Sequence, residues 1–308
     1  MYNIPVLFVF FNRKDVALSS FDKIRAVKPS KIYLAQDGAR EEKGEAEVLL
    51  TEDIRKCILE RIDWECDVHT LFRPKNVGCS LGVKTAIDWV METEECAIVL
   101  EDDCVVQDSF WQYMQEMLTR YVDDSRIGMV AGFNALNSAH CSYSYTFSRY
   151  KACWGWATWR RAWKNMDIDM RWRNADECIS ILHNMGYRKE DIRYWKYRLK
   201  CIDTDWVSAW DWQWYFTLSS QNQLCVFPKV SLVSNIGFGE GATHTSNYFS
   251  QTSYSFKDNL TFPLMHPEYV VPNCEFDKHF YHYNNDLHNK VIQVIPFEVK
   301  RFLKKILK

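Results

Sequence analysis

One short stretch of the chain governs the interpretation of the rest: residues 97–106 read Ala-Ile-Val-Leu-Glu-Asp-Asp-Cys-Val-Val. Its four apolar residues predict a buried strand, and three carboxylates follow that strand directly. Carboxylates beside a core strand are costly to desolvate unless they are paired or bind a cation. The cluster therefore predicts a site for a hard divalent cation, well placed to hold a diphosphate. A solvated strand end is the alternative for an acidic triplet taken alone.

Length and composition exclude several classes of protein. The 308 residues can bury a sizeable core as one large α/β domain or two small ones. A net charge of −2 gives no basic field for nucleic acid, and no apolar window is long enough to span a bilayer. Eleven cysteines at scattered spacings fit neither a disulfide framework nor a zinc site. Reduced thiols in a soluble, cytoplasmic protein are the simpler expectation.

The first half of the chain alternates strand and helix patterns, which predicts an α/β fold with a mostly parallel sheet flanked by helices. Ligands of such sheets bind at the carboxyl ends of the strands. Polar residues follow three predicted strands there, at Asn12-Arg13, Asp37-Gly38 and Glu101-Asp102-Asp103. The predicted strands are Val6–Phe11, Lys31–Gln36, Val68–Phe72 and Ala97–Leu100, and the predicted helices are Val16–Val27, Glu41–Ile62 and Leu81–Met91.

The second half is rich in aromatic residues. Ten of the thirteen tryptophans lie between Trp154 and Trp214, and we expect most of them in the core and a few as a platform for a sugar ring or lipid. Two further strands, Leu224–Phe227 and Ser231–Ser234, lead into a glycine-rich loop, Asn235–Thr245. This loop matches no phosphate-binding motif, so it is either a flap that closes over a ligand or an ordinary turn-rich connection.

The last ten residues, Val299–Lys308, predict an amphipathic helix whose polar face is entirely basic. Such a helix suits the surface of an anionic membrane, which would place the protein peripherally on the inner face of the plasma membrane. A terminal helix packed on the domain is the alternative.

The order of these motifs resembles that of nucleotide-sugar glycosyltransferases of the GT-A fold. The resemblance rests on the strand ends at Arg13 and Asp37, on Asn76-Val77-Gly78 and on Glu101-Asp102-Asp103. Three later segments look like the N-acetylglucosaminyltransferase I family and its bacterial relatives in surface-polysaccharide gene sets: Trp154-Gly155-Trp156, Ala209-Trp210-Asp211-Trp212 and Gly237–His244. The resemblance implies a Rossmann-like GT-A domain with a donor-binding half (1–135), an aromatic-rich acceptor half (136–260) and a C-terminal extension (261–308).

The resemblance also implies roles for residues that bind the donor. Arg13 and Asp37 match positions that hold the nucleotide base and its ribose or phosphates, and Asn76 matches a further base contact. Glu101 and Asp102 match acidic positions that face the ribose and the donor sugar.

Three further residues match the family's metal-binding residue, its catalytic base and its donor-covering loop. Asp103 matches the residue that binds Mn²⁺ or Mg²⁺ between the two phosphates, and Asp211 matches the catalytic base. His244 matches the loop that becomes ordered over the donor once the nucleotide is bound.

Physical chemistry supports Asp211 as a base. One carboxylate near the acceptor hydroxyl can remove its proton while the oxygen attacks the anomeric carbon, and a direct attack inverts that centre. The neighbours Trp210, Trp212 and Trp214 are expected to desolvate Asp211 and raise its pKa. The alternative is an N-cap for the predicted helix Trp212–Leu218.

Other acids are less favoured as the base. Asp203 and Asp205 lie just upstream, and Glu240 lies in the glycine-rich loop.

The predicted function is a metal-dependent, inverting glycosyltransferase. It would move a sugar from a UDP-sugar, with UDP-N-acetylglucosamine as one candidate, to a glycan or lipid-linked acceptor of a bacterial surface polysaccharide. One alternative is a sugar-nucleotide nucleotidyltransferase, which would carry a glycine-rich basic loop after the first strand. The other is a non-catalytic carbohydrate-binding protein, which would need neither the acidic triplet nor Asp211.

Overall fold

The computed structural model describes residues 2–136, 142–188, 191–208, 210–237 and 258–300. Within these ranges the strands are β1 (Val6–Phe10), β2 (Lys31–Gln36), β3 (Asp67–Phe72), β4 (Cys96–Glu101), β5 (Cys104–Val106), β6 (Ile127–Ala131), β7 (Tyr145–Ser148), β8 (Trp156–Trp159), β9 (Leu224–Pro228) and β10 (Val233–Asn235). The helices are α1 (Lys14–Val27), α2 (Glu45–Glu60), α3 (Cys79–Thr93), α4 (Asp108–Arg120), α5 (Arg160–Trp163), α6 (Cys178–His183), α7 (Asp191–Asp203), α8 (Asp211–Ser220), α9 (Cys274–Asn284) and α10 (Leu287–Val294).

Eight strands form one mostly parallel sheet in the order β3-β2-β1-β4-β8-β6-β9-β7. β1 pairs in parallel with β2 and β4, and β2 pairs in parallel with β3. β8 runs antiparallel between β4 and β6, and β7 runs antiparallel to β9. The predicted α/β fold, with a mostly parallel sheet flanked by helices, is therefore confirmed.

The first strands are buried because their side chains are apolar on both faces, as parallel strands require. Val6, Leu7 and Phe8 of β1 have no exposed surface, and Ile98 of β4 is equally buried beside them. The predicted strand Lys31–Gln36 has the same bounds in the structure. The apolar runs thus identify the centre of the sheet.

One predicted helix is interrupted. The segment Glu41–Ile62 was expected to be continuous, but a 3-10 turn at Glu41–Lys43 precedes α2, which begins at Glu45. Gly44 separates them with a φ of +66°, a left-handed conformation that suits glycine. The prediction of one helix was wrong at this point because the charged pattern continues across the break.

The strand order changes direction between β1 and β4. The chain leaves β1 toward β2 and β3 on one side and returns to β4 on the other. Parallel sheets bind ligands in the crevice that this reversal opens at the carboxyl ends of the strands. Arg13 follows β1 and Glu101 ends β4, so both flank this crevice.

The aromatic residues of the second half form most of the adjoining core. Trp156 lies between Trp210, at a ring-centroid distance of 5.7 Å, and Trp163, at 6.2 Å. Trp163 also packs on Trp214 at 4.7 Å. Most tryptophans are thus core residues, as predicted. Those of the second half that stay partly exposed are Trp154, Trp206 and Trp212.

The large sheet draws strands from both predicted halves, since β7, β8 and β9 follow residue 136. The proposed boundaries at 135 and 260 stay predictions. Among the residues that the structure describes, none of the helices combines the length and apolar composition that a bilayer crossing requires. The cysteines in these ranges are all free thiols.

The end of the described chain packs on α7. Lys300 is buried, and its Nζ donates a hydrogen bond to the Oη of Tyr197 at 2.8 Å. This contact favours the packed alternative for the first basic residue of the predicted terminal helix. Residues 301–308 lie outside the described residues, so attachment of this helix to a membrane stays a prediction.

A buried carboxylate joins α9 to the end of β7. Asp277 has no exposed surface and accepts hydrogen bonds from the hydroxyl of Ser148 at 2.5 Å and from Arg149 at 3.3 Å. Burial raises the pKa of Asp277 to about 6 although both partners oppose the shift.

This raised pKa makes stability depend on pH with a defined sign. The pKa in the unfolded chain is about 3.9, so the folded state binds the proton more tightly, and this contribution is lost as the pH rises through about 6. Relative to Asp277→Asn, the wild-type free energy of unfolding should fall by on the order of 3 kcal/mol between acidic and neutral pH. Urea denaturation at each pH measures it.

The control for that measurement is Asp169→Asn, an exposed aspartate outside the helices. Its unfolding energy should follow the wild type at every pH. Parallel pH curves for the wild type and Asp277→Asn would contradict the assignment.

Candidate functional site

Ion pairs connect the ends of β1 and β4. The guanidinium of Arg13 contacts the carboxylates of Asp102 and Asp103, with a distance of 3.1 Å from its Nη2 to Oδ2 of Asp103. Asp102 also accepts the backbone N–H of Phe11 at 3.4 Å. Because Arg13 and Phe11 follow β1, these contacts hold the two sides of the crevice together.

Burial and mutual repulsion shape the charges of this cluster. Burial raises the pKa of Asp102 to about 6, although Arg13 opposes the shift. Burial and the nearby charges of Asp103, Asp102 and Asp211 raise the pKa of Glu101 well above its usual range. Only Arg13 opposes that shift among the main contributions. The site thus holds more carboxylates than its one guanidinium can balance, an excess that a cation would relieve.

A cavity of about 600 Å³ opens at this cluster. Arg13, Glu101 and Asp103 lie on its wall together with Asp211 from α8. The structure therefore brings together four of the residues that sequence analysis selected from distant segments. Aromatic side chains provide much of the remaining wall: Phe133, Tyr150, Trp154, Tyr194, Trp195, Tyr197, Trp206, Trp210, Trp212, Tyr215, Phe280 and Tyr283.

Asp211 is the first residue of α8, and the N-cap position belongs to Trp210. The alternative that Asp211 serves as the N-cap is therefore wrong, because the helix begins one residue earlier than predicted. Burial raises the pKa of Asp211 to about 6, while the backbone N–H of Trp212 and the charge of Arg198 partly oppose it. A carboxyl group with this pKa is a suitable general base near neutral pH.

Three other predicted donor-binding residues lie off the cavity wall. Asp102 is 5% exposed and is engaged by Arg13. The carboxylate of Asp37 accepts the backbone N–H groups of Gly38, Val77 and Gly78 at 2.9 to 3.0 Å. The amide of Asn76 donates to the carbonyl of Gly38 at 2.8 Å.

Asp37 and Asn76 thus join the loop after β2 to the loop before α3. Both side chains use their polar atoms on backbone groups, which fixes the rim of the crevice beside Arg13. Their direct contacts with a nucleotide stay predictions.

The chain passes Asp103 a second time after β10. β10 pairs with β5, and the N–H of Ile236 then donates to the carbonyl of Asp103 at 2.9 Å. Gly237 lies so close that a Cβ would come within 2.3 Å of Oδ2 of Asp103. The glycine-rich segment thus leaves from the acidic cluster. Its residues Glu240 and His244 lie outside the described residues.

The donor set at Asp103 fits a metal ion that is shared with a ligand. Within the described ranges no group of three His, Cys, Asp or Glu side chains is placed to hold an ion. Mg²⁺ is commonly held by one or two carboxylates together with substrate phosphates. One carboxylate in a cluster with excess negative charge matches that arrangement.

Two cationic residues on the cavity wall, one buried and one half-buried, were missed. Lys151 follows β7, and Arg198 lies on α7, at the aromatic end of the cavity. No motif distinguishes them, because α7 and its approach carry several similar basic residues. Their significance comes only from packing.

Comparisons with known proteins give the following likenesses. No family model and no curated protein sequence matches the chain. Among solved structures, S. aureus TarS 1-349 shares 8% identity at a TM-score of 0.37, covering 74% of this chain and 58% of that one. An apo UDP-glucose pyrophosphorylase shares 8% identity at a TM-score of 0.37, covering 75% of this chain and 93% of that one. The glycosyltransferase GlyE of Streptococcus pneumoniae TIGR4 shares 14% identity at a TM-score of 0.29, covering 74% of this chain and 55% of that one.

The chain therefore spans less than two thirds of the TarS and GlyE structures. With identities below 15% and TM-scores below 0.4, the function has to be argued from the site itself.

The contacts of Asp37 predict a structural effect of its removal. In Asp37→Ala, three backbone N–H groups lose their acceptor, so the free energy of unfolding without any ligand should fall by about 1–3 kcal/mol. Urea denaturation measures the change, and Asp22→Ala on the exposed side of α1 is the control. Unchanged stability combined with a loss of nucleotide binding would contradict a structural role.

Proposed function

We propose that this protein is a metal-dependent, inverting glycosyltransferase of the GT-A type. Its donor would be a UDP-sugar, with UDP-N-acetylglucosamine as the first candidate, and its acceptor a glycan or lipid-linked sugar of a bacterial surface polysaccharide. One observation carries the proposal: a single cavity joins the Arg13–Asp103 corner, at the reversal point of the sheet, to the half-buried carboxylate of Asp211.

The donor side of the cavity suits a nucleoside diphosphate. Arg13 supplies a fixed cation, and Glu101, whose raised pKa favours its neutral form, can hydrogen-bond a sugar hydroxyl. Asp103 would hold Mn²⁺ or Mg²⁺ together with the diphosphate oxygens, and such an ion neutralises charge on the leaving group when it is bound. The rim fixed by Asp37 and Asn76 would face the nucleoside.

The acceptor side requires one base. An oxygen of Asp211 takes the proton of the acceptor hydroxyl while the oxygen of that hydroxyl forms a bond to the anomeric carbon. The bond from the anomeric carbon to the diphosphate breaks on the opposite face, and the electron pair leaves with the diphosphate. A single displacement of this kind inverts the anomeric centre.

The alternatives lack specific support. A nucleotidyltransferase would need a glycine-rich basic loop between β1 and α1, but α1 begins at Lys14, four residues after β1 ends at Phe10. A carbohydrate-binding protein without catalytic activity would leave the raised pKa values of Glu101 and Asp211 on the cavity wall without a use.

Two variants separate the donor and acceptor roles. Asp103→Asn should weaken Mg²⁺-dependent binding of UDP by at least about 10-fold, because it removes a charged ligand. Asp211→Asn should keep UDP binding but lower kcat about 10²- to 10⁴-fold, because the base is lost. Calorimetry and a transfer assay measure the two effects.

The matched control is Asp205→Asn, an exposed residue before α8. Its φ of +51° is one that asparagine also adopts, so binding and transfer should be unchanged. Undiminished transfer by Asp211→Asn would overturn the assignment of the base.

The raised pKa of Asp211 also predicts a pH profile. Because the base must be deprotonated, kcat/KM should rise about tenfold per pH unit below about 6 and level off above it. The titratable or charged groups that face Asp211 are Glu101, Arg198, Cys79, Cys153 and Tyr215. Initial rates at saturating metal measure the profile, and a flat profile across this range would contradict the assignment.

A further inference from the structure

Arg198 is a half-buried cation held by aromatic rings. Its guanidinium carbon lies 4.7 Å from the ring centroid of Tyr194 and 4.5 Å from that of Trp212. Its Nη2 donates a hydrogen bond to the Oη of Tyr194 at 2.7 Å. Two rings and one hydroxyl therefore fix the orientation of this side chain on the cavity wall, near Asp211.

The guanidinium of Arg198 forms no ion pair with a carboxylate in the part of the chain that the structure describes. Its charge opposes the raised pKa of Asp211, but its hydrogen bond goes to the hydroxyl of Tyr194. Its Nε is buried without an acceptor. A desolvated guanidinium is costly until an anion satisfies it, and it stays protonated throughout.

Lys151 does not take over this role. Burial lowers its pKa to about 7, so it is only partly charged, and its Nζ donates to the hydroxyl of Ser219 at 2.5 Å. Arg198 is therefore the group that gives this part of the cavity a lasting positive charge.

Two further donors on the same wall also have no acceptor among the described residues. They are Nε1 of Trp195, on α7, and Nε2 of Gln293, on α10. The part of the cavity lined by α7 and α10 thus presents unpaired donors, whereas the part at the end of β4 presents carboxylates. A ligand that fills both parts has to bring oxygens that accept hydrogen bonds to the part lined by α7 and α10.

We propose that Arg198 recognises an oxyanion, a phosphate or a carboxylate, on the acceptor, which makes this protein selective for anionic acceptors. The inference rests on the proposed transferase function, because it assigns the aromatic end of the cavity to the acceptor. The fork of a guanidinium binds such an oxyanion with two parallel hydrogen bonds. Anchoring it there would hold the rest of the acceptor over Asp211.

The test compares three glucosides that differ only at carbon 6: neutral methyl glucoside, methyl glucuronoside and methyl glucoside 6-phosphate. Calorimetry measures their binding with and without saturating UDP and Mg²⁺, so that the donor site is blocked in one arm. At least one anionic probe should bind the wild type about 10- to 100-fold more tightly than the neutral one. Which of the two does so identifies the oxyanion.

Arg198→Gln should remove this preference and leave the weak binding of the neutral probe unchanged, and Arg198→Lys should keep part of it. The matched control is Arg188→Gln, because Arg188 also lies over two aromatic rings, those of Tyr187 and Tyr281, but does not line the cavity. It should bind all three probes like the wild type. A ¹⁵N–¹H spectrum of the arginine Nε groups should show that only the signal missing in Arg198→Gln shifts with the anionic probe.

Three results would overturn the inference: equal binding of charged and neutral probes by the wild type, no binding of any probe, or an equal loss for all three in Arg198→Gln. The proposed function fails separately. If no UDP-sugar is transferred or hydrolysed while the anion preference persists, the transferase assignment is wrong and the oxyanion site stands. If neutral and anionic acceptors are glycosylated equally well, the transferase assignment stands and the inference is wrong.

Discussion

The ion pairs between Arg13 and the carboxylates of Asp102 and Asp103 join the two strands on either side of the point where the sheet reverses its order. A core strand that ends in three acids can be buried only if their charge is compensated. Arg13 compensates part of this negative charge. Burial and the remaining negative charge of the neighbouring carboxylates raise the pKa of Glu101. Such an excess of carboxylates would suit the cation and the diphosphate that the proposed function requires.

The cavity as a whole is divided by charge. Carboxylates gather where β4 ends, and Arg198 provides the positive charge at the aromatic end. Asp211 interacts with both groups of charges. Its negative charge contributes to the raised pKa of Glu101, and the positive charge of Arg198 opposes the raised pKa of Asp211 itself. Burial raises its pKa to about 6, and the backbone N–H of Trp212 and the charge of Arg198 partly oppose that shift. Trp210, the residue that precedes Asp211, is fixed by its packing on Trp156.

The sequence was informative where one side chain type determines the structure. Apolar runs identified the central strands, and Glu101, Asp103 and Asp211 lie on one cavity wall, whereas Asp102 lies off it. It was uninformative where a role depends on a partner far along the chain. Asp37 contacts Val77 forty residues later, and Arg198 is distinguished from Arg188, which also lies over two rings, by its place on the cavity wall. The break at Gly44 was missed because a left-handed φ leaves no trace in a charge pattern.

The position of β9 in the sheet bears on the order in which the chain folds. β1 pairs with β2 and β2 with β3 across fewer than forty residues, whereas the β1–β4 pair and the pair of Ile127 with Leu224 of β9 each span more than ninety. Closing so long a loop costs entropy before its contacts form, so we expect β1, β2 and β3 to assemble first. The acidic crevice needs the β1–β4 pair, and Asp211 lies within the loop that joins β6 to β9, so both would be completed only after these three strands have paired.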